Sequence, residues 1–123
     1  MPALILTVDD TRLARTTLRL ILEERGYRVV EAASTVEAIR VYREQKPDVV
    51  TMDILMEGHN GIIAIQALRS IDKRAKIIVC SGTSDQSFVA GAAALGVEAY
   101  LNKPIDPKRL VAAIETALVK TPT

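Results

Sequence analysis

The sequence predicts an α/β protein built on an open, doubly wound sheet of five parallel strands with helices on both faces. Its most informative stretch is Val49–Met52, a run that suits a buried strand and ends directly in Asp53. Interior strands of a parallel sheet are covered on both faces, so they do not alternate between apolar and polar residues. Strand-like runs alternate with helix-like segments five times over short connections. With right-handed crossovers, this alternation gives the predicted architecture.

Composition limits the classes of function that need to be considered. The 123 residues fit one domain with its own core, and a net charge of +1 gives no strong attraction to nucleic acid or anionic lipid. Cys80 is the only cysteine, which excludes an internal disulfide and agrees with a reducing cytoplasm. No apolar run approaches the roughly 18 residues of a membrane span, and no signal peptide is evident. We therefore expect a cytoplasmic protein.

The predicted strands are short runs rich in apolar residues, and most end at a polar or charged residue. The run Arg28–Ala32 is flanked by charge, as an edge strand would be. The polar, glycine-bearing stretch 57–61 is predicted to be a loop. The five predicted strands cover residues 3–8, 28–32, 49–52, 76–80 and 97–101.

Apolar residues between the strands recur at the three- and four-residue spacing of amphipathic helices. The residues predicted to face the core are Ala14, Leu18, Ile21, Leu22, Ala38, Ile39, Tyr42, Ala64, Ile65, Leu68, Ile71, Phe88, Ala92, Leu95, Leu110, Val111, Ile114 and Leu118. The start and stop signals are Gly26, a capping box from Ser34 to Glu37, Pro47, Gly96 and the pair Asp106 and Pro107.

Chemically active side chains follow the predicted strands. In a parallel sheet all carboxyl ends lie at one edge, where open α/β sheets bind their ligands. Three carboxylates gathered there would repel one another and raise their pKa values, which a hard dication such as Mg²⁺ or a lysine would relieve. A hydroxyl, a glycine and a lysine beside them suit the oxygens of a phosphoryl group. The residues concerned are Asp9, Asp10, Asp53, Ser81, Gly82 and Lys103.

The motifs together resemble the receiver domain of response regulators in bacterial two-component signalling, over essentially residues 1–123. The likeness is greatest to the free-standing, chemotaxis-regulator type. It implies a flavodoxin-like (βα)5 fold with strand order 2-1-3-4-5. The matching motifs are Val8-Asp9-Asp10, Met52-Asp53-Ile54-Leu55-Met56 followed by Gly61, Ser81-Gly82 and Lys103-Pro104.

The resemblance implies a phosphoacceptor site. Asp53 would accept a phosphoryl group from the phosphohistidine of a histidine kinase or phosphotransfer protein. Asp10 would bind Mg²⁺ directly, Asp9 mainly through water, and Leu55 through its carbonyl oxygen. Lys103 would pair with a phosphoryl oxygen, and its bond to Pro104 is typically cis in the family.

The resemblance also implies a signalling switch whose only catalysis is its own phosphorylation and dephosphorylation. Ser81 would move towards the phosphate, Gly82 would contact it through the backbone, and Tyr100 would turn inward. The fourth helix, fifth strand and fifth helix would then change their contacts with a downstream protein. Since no effector domain follows the last helix, we do not expect direct DNA binding. We expect a monomer or a weak dimer. One departure is Glu57, where the family usually has proline, which leaves the conformation of the following loop open.

Other interpretations remain open at this point. A phosphorelay intermediate would hand its phosphate onward, and a receiver-like interaction module would not be phosphorylated at all. A flavin protein on the same sheet would need stacking aromatics, which make up only 3% of the chain. Taken singly, Asp9 and Asp10 could be a helix N-cap pair, Lys103 a solvated charge and Tyr100 ordinary packing.

Overall fold

The computed structural model describes residues 2–56, 59–83 and 85–119. Within that part of the chain, five parallel strands form one sheet in the order β2-β1-β3-β4-β5, which confirms the predicted order. The strands are β1 Leu4–Val8, β2 Arg28–Ala32, β3 Val49–Met52, β4 Ile77–Ser81 and β5 Ala99–Asn102. The helices are α1 Arg12–Glu24, α2 Thr35–Gln45, α3 Gly61–Ile71, α4 Gln86–Ala94 and α5 Pro107–Val119.

Each face of the sheet packs against its own set of helices. On one face, α2, α3 and α4 cover side chains such as Leu6 and Met52, which are fully buried. On the other, α1 and α5 cover Ile5 and Val49, also fully buried. Alternate residues of β1 and β3 therefore enter opposite cores, which explains why both strands are apolar without a polar face.

The register of the central strands aligns the residues that leave them. Val8 pairs with Met52, and the N–H of Asp53 donates to the carbonyl oxygen of Val8 at 3.0 Å. Beyond the paired ends of β4 and β5, the N–H of Lys103 donates to the carbonyl oxygen of Ser81 at 2.7 Å. The polar residues that follow the strands therefore emerge at one edge of the sheet.

The predicted helix boundaries agree with the local geometry. Gly26 and Gly96 have left-handed backbones with φ of 87° and 69°, where glycine avoids the Cβ clash. The Asp106 carboxylate accepts from the N–H of Lys108 at 3.0 Å, so it caps α5 as expected. Among the described residues, no helix is long and apolar enough to cross a membrane.

Two local predictions need correction. Leu55–Met56 and His59–Asn60 pair as a two-stranded antiparallel ladder, within and just before the stretch predicted to be a loop. The sequence missed it because two-residue strands carry no hydrophobic alternation. Glu57, the departure from the family pattern, lies outside the described residues.

The fifth strand begins at Ala99 and not at residue 97. The turn that closes α4 includes Val97, whose N–H donates to the carbonyl oxygen of Ala92 at 3.4 Å.

Candidate functional site

Three carboxylates meet at the carboxyl edge of the sheet. One oxygen each from Asp9, Asp10 and Asp53 lies within 4.8 Å of the other two. Asp9 is 2% exposed and Asp53 is 5% exposed, whereas Asp10 is half-buried. The convergence predicted from the ends of β1 and β3 is therefore confirmed. Such a set of hard oxygen donors suits a small dication.

A lysine from a third strand end completes the cluster. Lys103 Nζ lies 2.7 Å from Asp9 Oδ2 and 3.5 Å from Asp53 Oδ2, so one ammonium contacts both carboxylates. Its side chain is 30% exposed, which leaves it within reach of a ligand entering from solvent. The peptide bond from Lys103 to Pro104 is cis, as the family resemblance implies.

Burial and the neighbouring charges shift the pKa values of Asp53 and Lys103. Burial and the charge of Asp9 raise the pKa of Asp53 to about 6, against the opposing effects of Lys103 and of the Leu55 N–H that donates to the Asp53 carboxylate. Burial alone would lower the pKa of Lys103, but its bond to Asp9 and the charges of both carboxylates outweigh that effect and raise it. An additional cation, or a bound group that accepts a hydrogen bond from the Lys103 ammonium, would therefore bind favourably at this site.

Two residues that the sequence did not single out hold Asp9 in place. The backbone N–H and the hydroxyl of Thr11 both donate to Asp9 Oδ1, at 2.9 and 3.0 Å. Arg15 Nη1 donates to the carbonyl oxygen of Asp9 at 2.7 Å. The Asp-x-Thr spacing of an Asx turn could have revealed the first contact. The second depends on how α1 lies against the sheet and has no local signal.

Gly61 allows a close backbone approach beside Asp53. A Cβ at this position would collide with the carbonyl oxygen of Asp53 and lie 2.6 Å from the Cα of Ile54. The Gly61 N–H donates to the carbonyl oxygen of Ile54 at 2.7 Å, and the Asn60 side chain caps the helix that starts here by accepting from Ile62 N at 2.7 Å. Only glycine permits this approach of α3 to the end of β3.

Ser81 and Tyr100 are linked through one residue of the loop after β4. The fully buried Ser81 hydroxyl accepts from the Thr83 N–H at 3.1 Å, and the Tyr100 hydroxyl donates to the Thr83 carbonyl oxygen at 2.8 Å. Among the described hydrogen bonds, the partner of the Ser81 side chain is thus Thr83 and not a carboxylate. Gly82 is exposed, with open space where a Cβ would stand.

A groove of about 530 Å³ opens beside the acidic cluster. Asp9, Lys103, Thr11 and Thr17 form its polar lining, and apolar side chains of α1 and of the segment before α5 form the rest. Leu13, on its wall, is 78% exposed. The apolar lining comprises Leu13, Ala14, Leu18, Pro104 and Ile105.

An open parallel sheet with this strand order, three acids and a lysine at its carboxyl edge defines a receiver-type signalling module, not a flavin or nucleotide fold. Residues 5–115 match the response regulator receiver domain, and the chain belongs to that family. It is therefore a response regulator of the two-component type.

Relatives over most of the chain agree with this assignment. Chemotaxis protein CheY of Thermotoga maritima is 44% identical over 111 residues, covering 89% of this chain and 92% of that protein. CheY of Bacillus subtilis is 39% identical and covers 93% of this chain and 96% of its own length. The crystal structure of a LuxR-family two-component response regulator from Aurantimonas sp. SI85-9A1 has a TM-score of 0.88 at 40% identity, covering 96% of this chain and 86% of that one.

Proposed function

We propose that this chain is a phosphorylatable switch: Asp53 accepts a phosphoryl group from a phosphohistidine, with Mg²⁺, and the aspartyl phosphate changes protein contacts. The observation that carries the proposal is the Lys103 ammonium, which contacts Asp9 at 2.7 Å and Asp53 at 3.5 Å within a cluster of three carboxylates. We propose further that residues 1–123 act as one receiver unit and that the protein works in the cytoplasm.

The donor set fits Mg²⁺. Asp9, Asp10 and Asp53 offer carboxylate oxygens within 4.8 Å of one another, and burial together with the charge of Asp9 raises the pKa of Asp53 despite the nearby Lys103. Asp10, Asp53 and the carbonyl of Leu55 would hold the ion, with Asp9 acting through water. Bound there, Mg²⁺ would offset the carboxylate charge and polarise a phosphoryl oxygen.

In the proposed phosphoryl transfer, Asp53 is the nucleophile and nearby residues bind the phosphoryl oxygens. A carboxylate oxygen of Asp53 attacks phosphorus, the O–P bond forms, the N–P bond breaks, and the donor histidine leaves with the electron pair of that bond. Lys103 is positioned to pair with a phosphoryl oxygen, and Ser81 and Gly82 to bind the others from the end of β4. Phosphoryl transfer depends mainly on such positioning and charge stabilisation.

The hydrogen bonds of Thr83 suggest how phosphorylation is read out. A phosphoryl oxygen that draws the Ser81 hydroxyl away would remove the acceptor of the Thr83 N–H, whose carbonyl in turn holds Tyr100. The change would spread to α4, β5 and α5, where the downstream protein binds. The phosphohistidine donor would dock over the apolar groove beside the acids, where α1 exposes Leu13.

The direct test is labelling of the full chain with acetyl phosphate. Wild-type protein should gain the mass of one phosphoryl group when Mg²⁺ is present and none in EDTA, and Asp53→Asn should gain none in either. Glu115→Gln, which changes an exposed acid on α5, should label like wild type. Labelling that persists in Asp53→Asn, or wild-type protein that never labels, would reject the proposal. The second outcome would favour the unphosphorylated interaction module.

A further inference from the structure

The edge of the sheet opposite the acidic cluster carries a second cavity. A groove of about 450 Å³ lies between the C-terminal ends of α2 and α3, and we refer to it as the basic groove. Its floor is recessed: Tyr42 is 6% exposed and Pro47 is buried. Its lining residues are Tyr42, Arg43, Lys46, Pro47, Ile71 and Asp72.

Two cations that line this groove, and two that follow Asp72 in the sequence, have no partner of their own. In the part of the chain that the structure describes, the exposed side chains of Arg43, Lys46, Lys73 and Arg74 form no hydrogen bond or ion pair. Arginines elsewhere on α2 and α3 do: Arg40 bonds Glu44 at 3.1 Å, and Arg69 lies 3.5 Å from Glu98. Uncompensated positive charge is thus concentrated at this end of the two helices.

The one acid that lines the groove is already occupied. Asp72 Oδ2 accepts from the Tyr42 hydroxyl at 2.7 Å, and Asp72 Oδ1 accepts from the Arg74 N–H at 2.9 Å. The C-terminal end of α2 attracts Arg43, which lies in its last turn. That attraction does not account for Lys73 and Arg74, which follow Asp72 beyond the end of α3. The groove therefore keeps a net positive rim over an apolar floor.

We propose that the basic groove binds an acidic peptide segment of a partner protein, with one apolar side chain entering the groove and carboxylates facing its rim. A pocket of this volume is on the scale of small-ligand sites and accommodates a bulky side chain. A membrane surface fits less well, since the large exposed apolar side chains of the described residues, such as Leu13 and Val36, lie outside the groove. Nucleic acid fits less well because the net charge of the chain is only +1, which gives no strong attraction to a phosphate backbone.

The position of the groove predicts that this binding is independent of phosphorylation. The groove adjoins the segment that enters β3, whereas Asp53 follows its last residue. Strand β3 has four residues, and a rise of about 3.3 Å per residue separates the two sites by roughly 13 Å. The groove would bind its partner in both phosphorylation states, while the surface formed by α4, β5 and α5 changes.

The test titrates the ¹⁵N-labelled full chain with a short capped peptide of glutamates around a single leucine. We expect saturable shifts of the amide signals of residues 42–46 and 71–76, and salt should weaken the binding. Arg43→Gln with Lys46→Asn should bind at least about tenfold more weakly, because both rim charges are lost. Asparagine suits position 46, where φ is 49°. A second pair, Lys73→Gln with Arg74→Gln, should give the same loss if the first disturbs folding.

The matched control changes the net charge equally at another place. Lys108→Gln with Arg109→Gln alters two exposed cations on α5 and should leave peptide affinity within about twofold of wild type. Saturation with Mg²⁺ and beryllofluoride should also leave it unchanged, whether or not Asp53 is the phosphoacceptor. The proposal is overturned by an absence of saturable shifts at millimolar peptide, by equal weakening in the control, or by equal affinity for a leucine-free polyglutamate. Rim-dependent binding to phosphatidylglycerol vesicles without peptide binding would also overturn it, in favour of a membrane site.

Discussion

Lys103 lies closer to Asp9 than to Asp53: its ammonium is 2.7 Å from the first carboxylate and 3.5 Å from the second. The nearer partner is also the more buried one, at 2% against 5% exposure. Asp9 is further fixed by two hydrogen bonds from Thr11. The lysine is thus held mainly by Asp9 and remains beside Asp53, the phosphoacceptor in the function proposed above.

Replacing this lysine should expose the repulsion that it offsets. In EDTA at pH 8, Lys103→Met is expected to lower the free energy of unfolding by about 1–2 kcal/mol, because it leaves three neighbouring carboxylates without a cation. Adding Mg²⁺ should recover most of the loss. Urea denaturation measures both effects, and Lys108→Met, at an exposed and unpaired position, is the control. Equal stability of Lys103→Met and wild type in EDTA would show that the lysine does not balance the acids.

Removing the charge of Asp53 should have the opposite effect on stability. Burial and the charge of Asp9 disfavour an ionised Asp53, so Asp53→Asn is expected to raise the free energy of unfolding by about 1–2 kcal/mol in EDTA at pH 8. Wild type should gain more stability than the variant when Mg²⁺ is added, because the Asp53 carboxylate makes its site a better one for Mg²⁺. Thermal melts with and without Mg²⁺ measure the difference. Glu115→Gln, on the exposed side of α5, should change neither value, and a destabilised Asp53→Asn would contradict the expectation.

The fold also contains an ion pair that should make stability depend on pH. Glu31 of β2 contacts Arg15 at 3.0 Å and Arg19 at 2.6 Å, both from α1. Burial alone would raise the pKa of Glu31, but the two guanidinium groups outweigh it and lower the pKa below its ordinary 4.5. A carboxyl with a lowered folded-state pKa stabilises the protein above the unfolded pKa. It loses that contribution as pH falls through the folded pKa.

Wild type should therefore exceed Glu31→Gln in stability by about 1 kcal/mol at pH 7, and the difference should disappear as the pH falls below 4.5. Urea denaturation at a series of pH values measures it. Glu44→Gln breaks the pair with Arg40, whose two side chains are more than half exposed, and should have little effect at any pH. A difference for Glu31→Gln that persists unchanged at low pH would rule out the ion pair as its source.

The position of the site could be predicted from the sequence because parallel strands share one carboxyl edge. Asp53 after a buried run, Asp9 after another and Lys103 after the last strand had to emerge on the same side, and the structure confirms that they meet. The strand order came from the family resemblance, since periodicity does not determine which strands are neighbours. The proposed roles of Ser81 and Leu55 remain predictions.

Other features could not be predicted because they depend on tertiary distances. The preference of Lys103 for Asp9 is a difference between 2.7 and 3.5 Å, which no sequence pattern encodes. The contact from Arg15 to the Asp9 carbonyl requires the tilt of α1. The short pairing of Leu55 with Asn60 forms over too few residues for alternation to reveal it.

Gly61 offers the sharpest test of how closely the start of α3 packs against Asp53. Gly61→Ala is expected to lower the free energy of unfolding by about 1–3 kcal/mol, because the added methyl meets the backbone of Asp53 and Ile54 and neither can move without shifting β3. Displacement of the Asp53 carboxylate should also slow labelling by acetyl phosphate. Gly91→Ala is the matched control: its Cβ would stand 3.5 Å from the Ile62 side chain, an ordinary contact, inside α4. Since alanine is the better helix former, that variant should be about 0.5–1 kcal/mol more stable than wild type and label normally. If Gly61→Ala instead matched wild type in both urea denaturation and labelling, the close approach of α3 to the acceptor would have no role in either.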